Sequence, residues 1–178
     1  MAGDAVSISV ESLLGERQRY RSASTESWRA LEEWLGCRLP ADYRELVDGF
    51  GDAILFGHLF IPHPEGEKKL LDFVQEERED FHEAYEDVRD IPASLRSVWE
   101  HVVPWAYHDW NGDVCLLVPN VARGTWQVAV AFRQGGGFLL IDGGVVEFLS
   151  MLVVERRFPQ GWPAEDARWR STVDSPLI

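Results

Sequence analysis

The chain has 178 residues, 46% of them hydrophobic and 12% aromatic, and its 17 Lys and Arg against 30 Asp and Glu give a formal net charge of -13 at pH 7. This length suits one domain with a sizeable core, and the composition excludes intrinsically disordered, collagen-like and coiled-coil chains. The negative charge disfavours nucleic acids and anionic membranes as partners, because affinity for phosphates comes largely from Lys and Arg. A basic protein is a more reasonable partner.

Helical spacing predicts two helices in the N-terminal part of the chain. The first begins near Thr25 or Ser27, either of which could cap it, and ends at Gly36. The second follows Pro40, which suits a first turn, and ends before Gly51. We expect the apolar face of the first helix to pack in the core; it consists of Trp28, Leu31, Trp34 and Leu35.

The apolar run Ile54–Pro62 predicts a single buried strand. The segment that follows, Glu65–Asp90, holds eleven acidic residues and four Lys or Arg, which is a net charge of -7 and more than half that of the chain. Its apolar residues recur at helical spacing, so we expect an amphipathic helix with an acidic outer face. Such a face is most often simply solvated, and the alternative is a contact surface. The apolar stripe consists of Leu70, Val74, Phe81, Ala84 or Tyr85, and Val88.

The second half predicts an antiparallel sheet followed by a helix. A helical turn at Leu95–Trp99 comes first, and short connections then force successive strands to be antiparallel. One connection, Asp109–Asp113, contains an Asn-Gly pair typical of a tight hairpin. The predicted strands are Val102–Ala106, Val114–Val118, Trp126–Phe132 and Phe138–Ile141, and the helix is Val145–Arg156.

Together these elements predict the α+β class and a single domain over 1–178. We expect residues 1–24 to be a polar lead-in, 25–156 to form the core, and the tail at 157–178 to be irregular. The first residues lack the basic and apolar segments of a signal peptide, and no apolar stretch is long enough to cross a membrane. We therefore expect a cytoplasmic protein.

No motif for catalysis or metal binding is complete. The five histidines match no metal-ligand spacing, and Cys37 and Cys115 match no metal or redox spacing, so we expect reduced thiols. Asp109–Asp113 resembles the start of a calcium-binding loop, but it does not match the rest of that motif. The glycine is at the fourth position and not the sixth, and the twelfth residue is Asn120, which cannot supply a bidentate carboxylate. We expect no metal, no cofactor, no small-molecule substrate and no enzymatic activity; a carboxylate site without a known signature is the enzymatic alternative.

The order of several motifs resembles that of the SUKH superfamily, which includes the Smi/Knr cell-wall-assembly regulators. The opening motif is Trp28-x-x-Leu31-Glu32-x-x-Leu35-Gly36-x-x-Leu39-Pro40-x-Asp42-Tyr43-x-x-Leu46, followed by Phe50-Gly51. Pro104-Trp105-Ala106 and Asn111-Gly112-Asp113 resemble the family's middle hairpin, and Glu147-Phe148-Leu149 resembles its closing helix. The long acidic segment and the tryptophan-rich tail depart from the common pattern.

The resemblance implies an α+β domain that binds other proteins and has no established catalytic centre. Many bacterial members are similar to immunity proteins, which neutralise toxins, often nucleases, by direct binding. We therefore expect an immunity protein that forms a heterodimer with a basic toxin. The alternative is an adaptor or regulator of the Smi/Knr type that binds a cellular protein.

Charge and aromatic placement predict which residues contact the partner. An acidic inhibitor attracts a basic protein over long range, and tryptophan is enriched at binding hot spots, although core support is the more common role for tryptophan. The predicted contact residues are Glu76, Glu77, Glu79, Asp80, Glu83, Asp87, Trp105, Asp109 and Trp110.

Overall fold

Within residues 8–16, 22–85 and 91–172, which the computed structural model describes, the chain forms six α-helices, a short 3₁₀ helix and seven β-strands. The helices are α1 (Val10–Leu14), α2 (Thr25–Leu35), α3 (Ala41–Phe50), α4 (Leu70–Tyr85), α5 (Ala93–Arg96), the 3₁₀ helix (Trp99–His101) and α6 (Val145–Val153). The strands are β1 (Ala53–Leu55), β2 (Leu59–Ile61), β3 (Val103–His108), β4 (Val114–Asn120), β5 (Thr125–Ala131), β6 (Phe138–Leu140) and β7 (Trp169–Ser171).

The seven strands form one sheet in the order β6-β5-β4-β3-β2-β1-β7, and every neighbouring pair is antiparallel. The strands from β1 to β6 are neighbours in chain order, as short connections require. This arrangement confirms the predicted single α+β domain with an antiparallel sheet.

Cys37 and Cys115 are both free thiols.

The prediction of one strand over Ile54–Pro62 is wrong, because the chain reverses in the middle of this run. Phe56 and Gly57 both have positive φ, at 56° and 77°, and the His58 N–H donates to the Leu55 carbonyl. The reversal pairs β1 with β2, with Ala53 opposite Ile61. Hydrophobicity alone gives no sign of it, since both strands are fully buried.

The prediction of an irregular tail is wrong at its end, where β7 completes the sheet beside β1. Leu55 lies opposite Trp169, and the Phe56 N–H donates to the Arg168 carbonyl at 2.8 Å. The Trp169 indole N–H also donates to the Phe50 carbonyl at 3.0 Å. The tail thus covers the edge that β1 would otherwise expose.

Alternate residues of β4 contribute to two buried clusters on opposite faces of the sheet. Cys115 and Leu117 join the larger cluster, which also includes residues of α2, α3 and α6. Leu116 and Val118 join the smaller one, which includes Phe81 near the end of α4 and residues around α5. This alternation follows from the two-residue period of a strand. The α4 helix contributes to both clusters, with Leu70, Phe73 and Val74 in the larger one and Phe81 and Tyr85 in the smaller one.

Two predictions for α2 are wrong: its N-cap is neither Thr25 nor Ser27, and one of its predicted core residues is exposed. Its N-cap is Ser24, whose hydroxyl accepts the Ser27 N–H at 3.1 Å, and Gly36 ends it in the left-handed conformation as expected. Trp28 is buried, but Trp34 is 44% exposed, with the Arg78 guanidinium 5.6 Å from its ring. The core prediction for Trp34 is therefore wrong.

Asp42 of α3 caps the distant helix α6. Its Oδ2 accepts the N–H groups of Val145 and Val146, at 2.9 and 3.3 Å. The α6 N-cap is Gly144, whose hydrogen leaves room for this approach: a Cβ there would lie 2.8 Å from Asp42 Oδ2.

We expect Asp42→Ala to lower the free energy of unfolding by about 1–2 kcal/mol, because two helix N–H groups lose their acceptor. Urea unfolding followed by circular dichroism measures this change. Asp42→Asn keeps an oxygen and should cost less; equal losses for the two variants would contradict the capping role.

Candidate protein-binding surface

The α4 helix turns a strip of carboxylates toward solvent. Its buried residues are Leu70, Phe73, Val74, Phe81 and Tyr85, whereas Ala84 is exposed. The predicted amphipathic helix is thus present over Leu70–Tyr85 but does not include 65–69, and Val88 lies outside the described residues. Glu76, Glu79, Asp80 and Glu83 are exposed, and Glu77 is half-buried.

One flank of α4 lies near the β3–β4 hairpin. Burial raises the pKa of Glu77, and the nearby Asp80 carboxylate adds to the shift, while Lys68 and Arg133 oppose it. Burial also raises the pKa of Tyr107 on β3, and the charges of Asp109 and Glu77 add to it. Carboxylates from the helix and the hairpin therefore belong to one electrostatic surface.

The β3–β4 turn presents an exposed indole directly after Asp109. The turn closes with the His108 N–H donating to the Asp113 carbonyl at 2.7 Å, and Gly112 takes a positive φ of 76°. Asn111 does not, so the connection is the longer segment 109–113 and not the predicted tight Asn-Gly turn. Trp110 is 64% exposed at its tip. The Tyr107 hydroxyl lies 3.3 Å from Asp109 Oδ1 and donates to it.

Two buried histidines, His58 and His108, pack against Trp110 at the tip of the turn. The rings of His58 and His108 lie 4.4 Å apart between centroids, and Trp110 lies 5.7 and 6.0 Å from them. His108 Nδ1 is 3.3 Å from the N–H groups of both Trp110 and Asn111 and accepts from them. A neutral His108 must then carry its proton on Nε2.

Burial keeps both histidines neutral. It lowers the pKa of each to about 4, and for His58 the neighbouring His108 ring is the second cause. The ring nitrogens of His58 form no hydrogen bond of normal geometry with the described residues, although the Pro163 backbone and Asp109 favour its protonated form.

Asp113 ties the hairpin to the tail. It is buried, and its two carboxylate oxygens accept from the Trp162 indole N–H at 2.9 Å and from the Arg133 backbone N–H at 3.0 Å. Trp162 in turn lies 4.8 Å from His108 between ring centroids. The tail therefore helps to fix the base of the exposed tip.

Among residues 8–16, 22–85 and 91–172, no group of three or more His, Cys, Asp or Glu side chains is arranged to hold a metal ion. No helix in this part of the chain is both long and apolar enough to cross a membrane.

Comparison with known protein families identifies the family to which this chain belongs. The model of the SMI1 / KNR4 family (SUKH-1) matches residues 22–150, which is more than half of the chain. The chain belongs to this family. The comparisons found no similar curated protein and no similar solved structure.

SUKH-1 membership supports a non-catalytic domain of the immunity or Smi/Knr type. The matched segment runs from the start of α2 into α6 and includes α4 and the β3–β4 turn. Trp162 and β7 lie beyond it, so the contacts that tie the tail to Asp113 and β1 lie outside the match.

One of the predicted contact residues is buried, and another lies outside the part of the chain that the structure describes. Trp105 is fully buried, with its ring centroid 5.6 Å from Tyr43 and 6.1 Å from Phe148, so its prediction as a contact residue is wrong. Asp87 lies outside the described residues.

Five of the remaining seven predicted residues lie on one or other flank of α4, Trp110 lies at the hairpin tip, and Glu76 pairs with Lys68 at 2.6 Å. Glu77 and Asp80 lie toward the β3–β4 hairpin with Asp109, whereas Glu79 and Glu83 line a groove beside α5. Sequence reasoning missed the roles of Tyr107, Arg133 and the histidine pair. No local signal marks them, since His58 and His108 are fifty residues apart in sequence and meet only because β2 pairs with β3.

Proposed function

We propose that this chain is a cytoplasmic immunity-type protein that neutralises a basic toxin by binding it directly, as a heterodimer. The observations that support this most are the exposed carboxylate strip of α4 and the 64% exposed Trp110, in a chain of net charge -13 that belongs to SUKH-1. The contact surface would comprise Glu76, Glu77, Asp80, Asp109 and Trp110.

Each part of this surface has a distinct physical role. Exposed carboxylates attract a basic partner over long range and speed its encounter, although each pair adds little to affinity. An exposed indole on a fixed turn can fill a pocket of the partner at a small cost in side-chain entropy. A nuclease toxin is a fitting partner, since it must itself attract phosphates.

Co-expression with the toxin encoded by the neighbouring gene tests the function. We expect the chain to restore growth and to form a stable complex with the purified toxin domain. Growth that is no better with the chain present would contradict an immunity role, and a complex with a housekeeping protein in its place would favour the adaptor alternative.

Charge reversal tests the surface itself. We expect E76K/D80K to lower the association rate constant with the toxin about tenfold at low salt and to flatten its salt dependence, because two attractive charges become repulsive. The change at Glu76 also breaks its ion pair with Lys68, which leaves the Lys68 charge unpaired beside the new lysine. Stopped-flow fluorescence measures both quantities.

The matched control is E26K/E45K, which makes the same change of charge at exposed positions of α2 and α3. If both variants slow association equally, only the net charge matters, and the proposed surface is wrong.

A further inference from the structure

A groove of about 760 Å³ runs between α4 and the segment formed by α5 and the 3₁₀ helix. Three acidic residues line it, Glu79 and Glu83 from α4 and Glu100 from the 3₁₀ helix, and all three are exposed. This groove lies on the other side of α4 from Glu77 and the β3–β4 hairpin.

Aromatic rings form the inner part of this groove. Trp99, which lines it, is half-buried, and its ring lies 4.6 Å from Phe81 and 6.2 Å from Tyr85 between centroids. His82 stacks nearly parallel to Trp99, at 6.0 Å with an interplanar angle of 20°. The packing fixes Trp99 on one side and leaves part of its surface available within the groove.

The charges around this aromatic surface are mostly negative. The arginine and histidines that line the groove are Arg96, which already has an interaction partner, His101, and His82, whose Nδ1 is 3.8 Å from Glu100 Oε2. An anionic ligand would meet three carboxylates here, whereas a cation would meet both carboxylates and an aromatic face.

We propose that the groove between α4 and α5 binds an arginine-bearing segment of the basic partner protein, with a guanidinium against Trp99 and among Glu79, Glu83 and Glu100. This inference rests on the proposed function and adds a second, concave contact to the convex one at Trp110. Arginine fits better than lysine, because its planar group stacks on an indole and bonds carboxylates at the same time.

The probe for this groove is an uncapped peptide of nine arginines, titrated into the full chain by isothermal calorimetry. We expect E79Q/E83Q/E100Q to weaken binding about tenfold relative to the unmodified chain. The control E11Q/E26Q/E45Q removes the same charge from exposed positions of α1, α2 and α3 and should weaken it less than threefold. Equal losses would overturn the proposal.

Two further measurements test the aromatic contact. We expect a peptide of nine lysines to bind more weakly than the arginine peptide, and Trp99→Leu to remove that preference while circular dichroism still shows a folded chain. The arginine peptide should also shift the Trp99 indole N–H resonance in ¹H–¹⁵N spectra. An unshifted resonance, or a preference that survives in Trp99→Leu, would show that the groove is not used.

Failure of this inference is distinguishable from failure of the proposed function. If the chain neutralises the toxin and the triple glutamine variant does so equally well, the function stands and the groove proposal fails. If the arginine peptide binds in the groove but no toxin is neutralised, the groove proposal stands and the immunity role fails.

Discussion

Trp105→Ala is expected to lower the free energy of unfolding by about 3–5 kcal/mol. Trp105 has no exposed surface and packs edge-on against Tyr43 of α3 and Phe148 of α6. It therefore links the sheet to two helices, and truncation leaves a cavity that a close-packed interior cannot fill without moving them. Urea unfolding at neutral pH, followed by far-ultraviolet circular dichroism, measures the loss.

Trp110→Ala is the matched control, since it removes the same side chain from the turn that follows the same strand. Trp110 is largely exposed, so we expect a loss below about 0.5 kcal/mol. In toxin binding we expect the opposite order of effects. Trp110→Ala should weaken binding more than Trp105→Ala does under conditions in which both variants are folded. Similar losses of stability would contradict the separate roles given to the two residues.

Periodicity was enough to predict the elements that have an unambiguous pattern. Trp28 and Leu31 recur at helical spacing and are buried in α2, and the Asn-Gly pair before Asp113 marks the β3–β4 turn. The four strands from β3 to β6 follow from short apolar runs between turn residues. The acidic strip of α4 follows from composition and helical spacing together.

One local reversal and one long-range pairing could not be predicted from the sequence. The β1–β2 turn lies within a continuous apolar run, and it depends on a positive φ at Phe56, which no propensity favours. The β7 strand is only three residues long and forms against β1 across more than a hundred residues. Trp105 and Trp110 both lie close to polar residues in the sequence, and only the folded structure shows that Trp105 is buried in β3 and Trp110 is exposed on the turn.

The same limit applies to the candidate site. Glu79 and Glu100 are twenty-one residues apart, and the groove between them exists only because α5 and the 3₁₀ helix pack beside the end of α4. The sequence predicts that α4 is acidic, but it does not predict that one flank faces a hairpin and the other an aromatic groove. That division allows the two proposed contacts to be tested with separate sets of variants.

Acidification from pH 6.5 to pH 4 is expected to lower the free energy of unfolding by up to ~3 kcal/mol for each of His58 and His108. Burial lowers the pKa of both groups to about 4 in the folded chain, whereas it is about 6.5 in the unfolded chain. Between these values the unfolded chain binds a proton at each histidine and the folded chain does not. This contribution to stability is therefore complete above pH 6.5 and is lost as the pH falls toward 4.

His108→Asn removes one ring that titrates, while an asparagine oxygen can still accept the N–H groups of Trp110 and Asn111. It also removes the repulsion that a charged His108 exerts on His58, so both changes act in the same direction. Unfolding free energies measured at several pH values should fall less steeply for this variant than for the unmodified chain. The nearby Asp109 and Asp113 are present in both proteins, so the difference between the two slopes reports the removal of the His108 ring. If His108→Asn keeps the slope of the unmodified chain, His108 is not held neutral by burial. A proton on Nδ1 would displace both amide donors, so the loss of order in acid should begin at the turn that carries Trp110.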